Sequence, residues 1–123
     1  MLKLKTGISI KHNIALNRDI KEYIQKKPMV PCKALNKRPV FLNKYLKASQ
    51  GRRDQTRRRQ RFMSAVELLR QAKTEDITDQ IKEPGGETAY ELKEITPKGE
   101  IIGVHIREEI EAKDRRLYLI STF

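Results

Sequence analysis

A change of hydrophobic period near the middle of the chain sets the tightest limit on its fold. Up to about Lys73 apolar residues recur at helical spacing, whereas beyond Pro84-Gly85-Gly86 they alternate. In the clearest stretch Ile102, Val104 and Ile106 fall on one side of an extended chain, and Gly103, His105 and Arg107 on the other. Three strands are expected: Thr88 to Ile95, Glu100 to Ile110 and Arg115 to Phe123. Their connectors, Thr96-Pro97-Lys98-Gly99 and Glu111-Ala112-Lys113-Asp114, are too short for the crossover that parallel strands need, so the strands form an antiparallel meander. The first connector has Pro and Gly where a type I turn with a following bulge wants them. Pairing Leu92 with Val104 puts Tyr90 and Leu92 on the apolar face and Glu91 and Lys93 beside His105 and Arg107. A slip of one residue would send the polar set to the core. In the last strand Leu117 and Leu119 are assigned to the core, with Arg116, Tyr118, Ile120 and Thr122 on the other face.

The helical signals precede the sheet. Leu16, Ile20, Tyr23, Ile24 and Lys27 repeat at helical spacing, and Pro28 closes that segment because its ring and missing N–H end a helix. Pro39 stands at a first helical position, followed by Phe41, Leu42, Tyr45 and Leu46 on one face, until Ser49-Gln50-Gly51 breaks this second helix. Asp54 can cap a third and longer helix reaching about Lys73, with Phe62, Ala65, Val66, Leu69 and Ala72 as its apolar stripe. Thr74 to Lys82 reads as a short helix or turn. The expected fold class is α+β, with N-terminal basic helices packed on one face of a small antiparallel sheet. At 123 residues and 37% hydrophobic composition there is material for one modest core. A single domain, 1–123, is expected, with 1–52 as a basic helical part and 53–123 as the long helix plus sheet.

Charge divides the chain more sharply still. Residues 1–73 hold 20 Lys and Arg against 4 Asp and Glu, a formal charge of +16, while residues 74–123 hold 7 against 12, or −5. The densest run is Arg52, Arg53, Arg57, Arg58, Arg59 and Arg61. In a helix these arginines repel one another at i, i+3 and i, i+4, and an anion relieves that cost. Each phosphate they neutralise also releases condensed counterions, so nucleic acid is the expected partner and the run its binding surface. None of these side chains is expected to contribute to the Phe62 stripe. With one Cys and two His there is no zinc-ligand set, and Cys32 reads as a small buried filler. No phosphate-binding Gly loop or Gly-x-Ser-x-Gly elbow occurs, and no metal or other cofactor is expected. No apolar run approaches the roughly 20 residues that cross a bilayer, and the start lacks a secretory signal, which makes the cytoplasm the expected location and a membrane partner unexpected.

The polar face of the expected sheet gathers ionisable groups. Cleaving RNA without a metal needs a base for the ribose 2′-hydroxyl, an acid for the leaving 5′-oxygen, and cations for the charge on the phosphorane. Glu91 or His105 is the candidate base and the other the acid. Arg107, Arg116 and Lys93 are candidates to hold the phosphate, and Tyr118 or Thr122 to donate a hydrogen bond. The competing expectation is a non-catalytic RNA- or DNA-binding module, in which the sheet is scaffold and the arginine helix makes all contacts.

Basic helices followed by a small antiparallel sheet with His and Arg, ending in Leu117-Tyr118-Leu119-Ile120-Ser121-Thr122-Phe123, resemble the barnase, EndoU, colicin and RelE-like ribonuclease superfamily of phage-encoded and polymorphic toxins. The resemblance covers roughly Arg57 to Phe123. It implies an endoribonuclease acting on tRNA or mRNA, delivered in some cases into a target cell, and an acidic inhibitor or immunity protein as partner. It also implies active positions at Arg58 or Arg61, at His105 or Arg107, and at Ser121 or Thr122.

Overall fold

A computed structural model of the chain describes residues 13–51, 54–95, 98–111 and 114–123. Among them, an α-helix, α1 (Asn13–Lys26), leads into strand β1 (Met29–Cys32), a 3₁₀ turn at Lys33–Leu35, and strand β2 (Arg38–Phe41). Three more helices follow: α2 (Tyr45–Ala48), α3 (Gln55–Gln60) and α4 (Phe62–Gln71). A 3₁₀ turn at Thr74–Asp76, within the stretch expected as a short helix or turn, leads into β3 (Ile77–Lys82), β4 (Thr88–Ile95), β5 (Ile101–Glu111) and β6 (Asp114–Thr122). The six strands form one mixed sheet in the order β1-β2-β6-β5-β4-β3. The fold class is α+β, as expected, and the C-terminal meander is present.

The register read from hydrophobic alternation holds. Leu92 pairs with Val104, Tyr90 with Ile106 and Glu91 with His105. Leu92, Ile102, Val104 and Ile106 are buried, as are Leu117 and Leu119 on β6. Against this face pack Phe62, Ala65, Val66, Leu68 and Leu69 of α4, all fully buried, together with Ile20 of α1. Phe62 anchors the junction of three helices, meeting the Tyr23 ring edge-on at 5.6 Å and the Tyr45 ring at 5.1 Å.

Three segments depart from expectation. Pro39 to Leu46 is not a helix: Pro39, Val40 and Phe41 lie in β2, paired antiparallel with β1 and, through Val40 and Phe41, parallel with β6. Pro39 fits because its fixed φ suits an extended chain as well as a first helical turn, and its missing N–H falls beyond the parallel ladder. The hairpin turns through Asn36 and Lys37, both left-handed, at φ 58 and 60. Only Tyr45–Ala48 is helical in that stretch, so the sheet is mixed rather than wholly antiparallel, and part of the N-terminal segment belongs to it. Second, Ile77–Lys82 is an edge strand, its ladder interrupted between Ile77 and Asp79. Its isoleucines, Ile77 and Ile81, are four apart in the sequence, and that spacing suits a helix as well as a bulged strand. Third, the expected long helix is broken at Arg61, whose N–H bonds Arg58 rather than a residue four back. The break lets α3 lie across the end of β6 while α4 turns onto β1 and β5.

Cys32 is fully buried, and burial pushes its thiol pKa up against the lowering effect of backbone hydrogen bonds from Leu35 and Ala34, in keeping with a filler role. Among the described residues no helix is long and apolar enough to cross a membrane.

Candidate functional site

The face of the sheet turned away from α4 carries the ionisable set. Glu91 stands on β4 directly opposite His105 on β5, and Nε2 of His105 lies 2.8 Å from Oε2 of Glu91. Oε1 of Glu91 accepts a 2.9 Å hydrogen bond from Thr78 and lies 3.2 Å from Nζ of Lys93. Partial burial raises the Glu91 pKa, but the hydrogen bonds from His105, Thr78 and Lys93 outweigh it and hold the carboxyl below its ordinary value. An ionised Glu91 accepts the Nε2 proton and so fixes the imidazole tautomer, which leaves the lone pair on Nδ1.

This direct contact changes the division of labour expected from the sequence. In an in-line displacement the attacking and leaving oxygens sit on opposite sides of phosphorus. A base and an acid bonded to each other reach one side only. Glu91 is therefore placed to orient the His105 ring rather than to serve as a separate acid or base.

The third neighbour comes from β6. A bulge at Ile120 shifts the pairing so that Leu119 opposes Ile106 while Ser121 opposes His105 and Thr122 opposes Val104. The expected placement of Thr122 on the polar face is thus corrected. Thr122 is fully buried on the core side, where its hydroxyl donates to the Arg58 carbonyl at 2.6 Å. With that proton committed, Tyr45 donates to Thr122 Oγ1 at 2.7 Å. The Tyr45 hydroxyl is pushed up to about 12 by burial, against the lowering effect of the Thr122 bond and of the Arg59 and Arg58 charges. Thr122 is a backbone clamp on α3, and Ser121 takes its place beside His105.

The clamp presents Arg58 to the site. Its Nη1 donates to Ser121 Oγ at 2.7 Å and to the Thr122 carbonyl at 3.3 Å, and its Nε donates to Asp54 Oδ2 at 2.7 Å. Beside it Arg57 is exposed, and Arg61 spends Nη1 on the Ile101 carbonyl at 2.8 Å. Arg59 does not belong to this surface, contrary to expectation. It is 3% exposed and donates to Ser49 Oγ, the Leu46 carbonyl and Asn17 Oδ1, tying α1 and α2 to α3. Desolvation lowers its pKa, offset in part by the Tyr45 hydroxyl. Arg52 and Arg53 lie outside the described residues, as do His12 and the turn residues Thr96, Pro97, Ala112 and Lys113.

Two clefts lie beside these groups. One, of about 290 Å³, is lined by Glu91, His105, Arg107, Ser121 and Asp79 among others. The other, of about 340 Å³, lies between Arg57 and Arg58 of α3, Arg61 just beyond it, and Lys93, Ile101 and Phe123. Arg107 faces Ala89 and Tyr118 across the ladders, and its buried Nε has no hydrogen-bond partner among the described residues. Such a donor suits an anionic oxygen in the cleft.

Arg116 and Tyr118 do not join the cluster. Arg116 pairs with Glu109, four residues along β5 from His105, or roughly 13 Å at strand rise. It stands over Phe41 at 5.2 Å. Tyr118 is 3% exposed, packed on Phe41 and capped by Lys44 Nζ at 4.0 Å from its ring centroid. Glu109 pairs with Lys44 at 3.0 Å. A second charged group lies at the other end of the sheet, where the largely buried Glu108 bonds Arg38 at 2.6 Å.

Phe123 escaped the reading by residue type. Its ring lies on Gly103, where any side chain would collide with it, and its centroid is 4.8 Å from that of His105. The signal for it was Gly103 itself, a residue without a side chain on the polar face of a central strand. Among the described residues no three His, Cys, Asp or Glu side chains converge as a metal-ligand set. Comparison with known proteins gave no match: no protein family, no curated protein and no solved structure matches this chain.

Proposed function

We propose that this chain is a metal-independent endoribonuclease of toxin type, as its resemblance to the barnase, EndoU, colicin and RelE-like superfamily implies. The observation that carries the reading is the Glu91–His105 pair, lining one cleft with Arg107 and with Ser121, the residue to which Arg58 donates. His105 Nδ1 takes the proton of a ribose 2′-hydroxyl. The 2′-oxygen then bonds phosphorus, the bond to the 5′-oxygen breaks, and the leaving oxygen takes a proton from solvent, giving a 2′,3′-cyclic phosphate and a 5′-hydroxyl. Arg107 and Arg58 stabilise the charge on the phosphorane, and Ser121 keeps Arg58 directed at it. The substrate is tRNA or mRNA in the cytoplasm, either of the producing cell or of one into which the protein is delivered. An acidic inhibitor fits the same basic surface.

The deciding experiment incubates purified protein with total RNA in excess EDTA and looks for fragments ending in a cyclic phosphate. Their appearance with wild type and loss with His105→Ala supports the reading. No cleavage with or without divalent metal leaves the alternative, a non-catalytic RNA- or DNA-binding module working through Arg57, Arg58 and Arg61. That Arg57, Arg58 and Arg61 line a cleft whose lining does not include Glu91 and His105 favours that second reading.

A further inference from the structure

The cleft beside α3 has two walls of different chemistry. One is cationic: Arg57 is exposed and, among the described residues, Arg61 keeps Nε and Nη2 beyond its bond to Ile101, and Arg58 keeps Nη2 beyond its bonds to Asp54, Ser121 and Thr122. The other is the aromatic face of Phe123. The ring packs so close to the backbone of Gly103 that no Cβ fits between them, and Phe123 lines the cleft. His105 bounds the ring at 4.8 Å and Lys93 Nζ stands 5.7 Å from its centroid. An apolar core role does not account for this, since Phe123 is half-buried on the polar face and remote from the buried cluster under α4.

A planar ring beside fixed cations is the arrangement that holds an unpaired nucleotide: the base stacks on the ring and the phosphate meets the guanidinium groups. A base inside a duplex is already stacked on both faces and cannot occupy such a ring without leaving the helix. We propose that Phe123 is a base-stacking platform for one nucleotide of single-stranded RNA, with the adjoining phosphate held by Arg57, Arg58 and Arg61, so that the chain selects single-stranded over duplex RNA. The inference rests on the reading of the basic surface as an RNA site. It is independent of whether His105 cleaves. The contact between the Phe123 and His105 rings puts the stacked nucleotide next to the phosphate presented to His105.

The chain has no Trp, so Phe123→Trp gives a fluorophore that can be excited alone. The probe is a 2′-O-methyl oligonucleotide, which cannot be cut by 2′-hydroxyl attack, used single-stranded, as a duplex, and as an abasic strand of the same length. The single strand should quench the indole emission of the Phe123→Trp variant, while the abasic strand binds without quenching. On the wild-type chain, removing the bases should weaken binding by about 5-fold to 100-fold, the range for one base on an aromatic ring. Phe123→Leu, which still covers Gly103, should lose affinity for the single strand by the same factor and leave duplex affinity unchanged. Equal wild-type affinity for normal and abasic strands would overturn the inference while leaving the arginine site standing. If no strand binds the wild type at all, the inference and the RNA reading fall together.

Discussion

Arg59→Met separates an arginine that holds the fold from arginines that face solvent. The side chain is 3% exposed, and its loss removes the guanidinium donors to Ser49 Oγ and the Leu46 carbonyl, which keep the 3.2 Å bond between them, while Asn17 stays within reach of water. Each hydrogen bond to a charged group contributes about 1.5–3 kcal/mol. Relief of the guanidinium's own desolvation offsets part of that, since removing a buried ion returns several kcal/mol. The net expectation is a loss of about 3 kcal/mol, a large share of the roughly 5–15 kcal/mol available to a domain. At this size it should lower the melting temperature by about 10 °C. Arg57→Gln, at an exposed position on the same helix, should stay within about 0.5 kcal/mol. Thermal and urea denaturation followed by circular dichroism would measure both. An Arg59→Met protein melting within a degree or two of wild type would refute the argument and return Arg59 to the binding surface.

Val104→Asp should unfold the protein, because it sets an unpaired charge at a fully buried position opposite Leu92, whereas Arg107→Ala should melt near wild type and impair function. His105→Ala should lower cleavage by roughly 100-fold to 10,000-fold with little change in RNA affinity, as read from gel assays beside filter binding. Arg57→Gln with Arg61→Gln should reduce the slope of log affinity against log salt by about 1.4 on single-stranded RNA if each meets one phosphate. Glu91 has its folded pKa depressed, so its contribution to stability is present above the unfolded value of about 4.3 and is lost as pH falls through the folded value. Stability measured from pH 6 down to pH 2 should therefore fall less steeply in Glu91→Gln than in wild type.

Much of the sheet was readable because its signal is local and redundant. Alternation in Ile102, Val104 and Ile106, and the pairing of Leu92 with Val104, depend on neighbours within one hairpin, and any other register buries charge. Strand β2 was not readable in the same way. Besides the short hairpin with β1 its partner is β6, far along the chain, and Pro39 with Phe41 and Leu42 satisfies a helical pattern equally well. For the site, Glu91, His105 and Arg107 followed from the register. Thr122 was misplaced because one extra residue at Ile120 exchanges the faces of everything after it, and no local composition marks that bulge. Arg59 was misassigned for a related reason. Nothing in Arg57-Arg58-Arg59 distinguishes the middle of the surface from the one side chain that meets Asn17, Leu46 and Ser49 across three helices.

The hydrogen bond between Tyr45 and Thr122 joins residues 77 apart, and the parallel pairing of β2 with β6 spans the same distance. During synthesis at about 5–20 residues per second, β1 and β2 wait several seconds with only each other as partners. In that interval α3 can meet α1 and α2 through Arg59, but Arg58 meets Ser121 only after β6 has left the ribosome. A nascent chain of this sequence therefore carries its positive charge early, on the polysome and among RNA, while the cluster around His105 remains unassembled. Pairings of such long sequence separation are slow to form, so the groups around His105 are the last to be brought together.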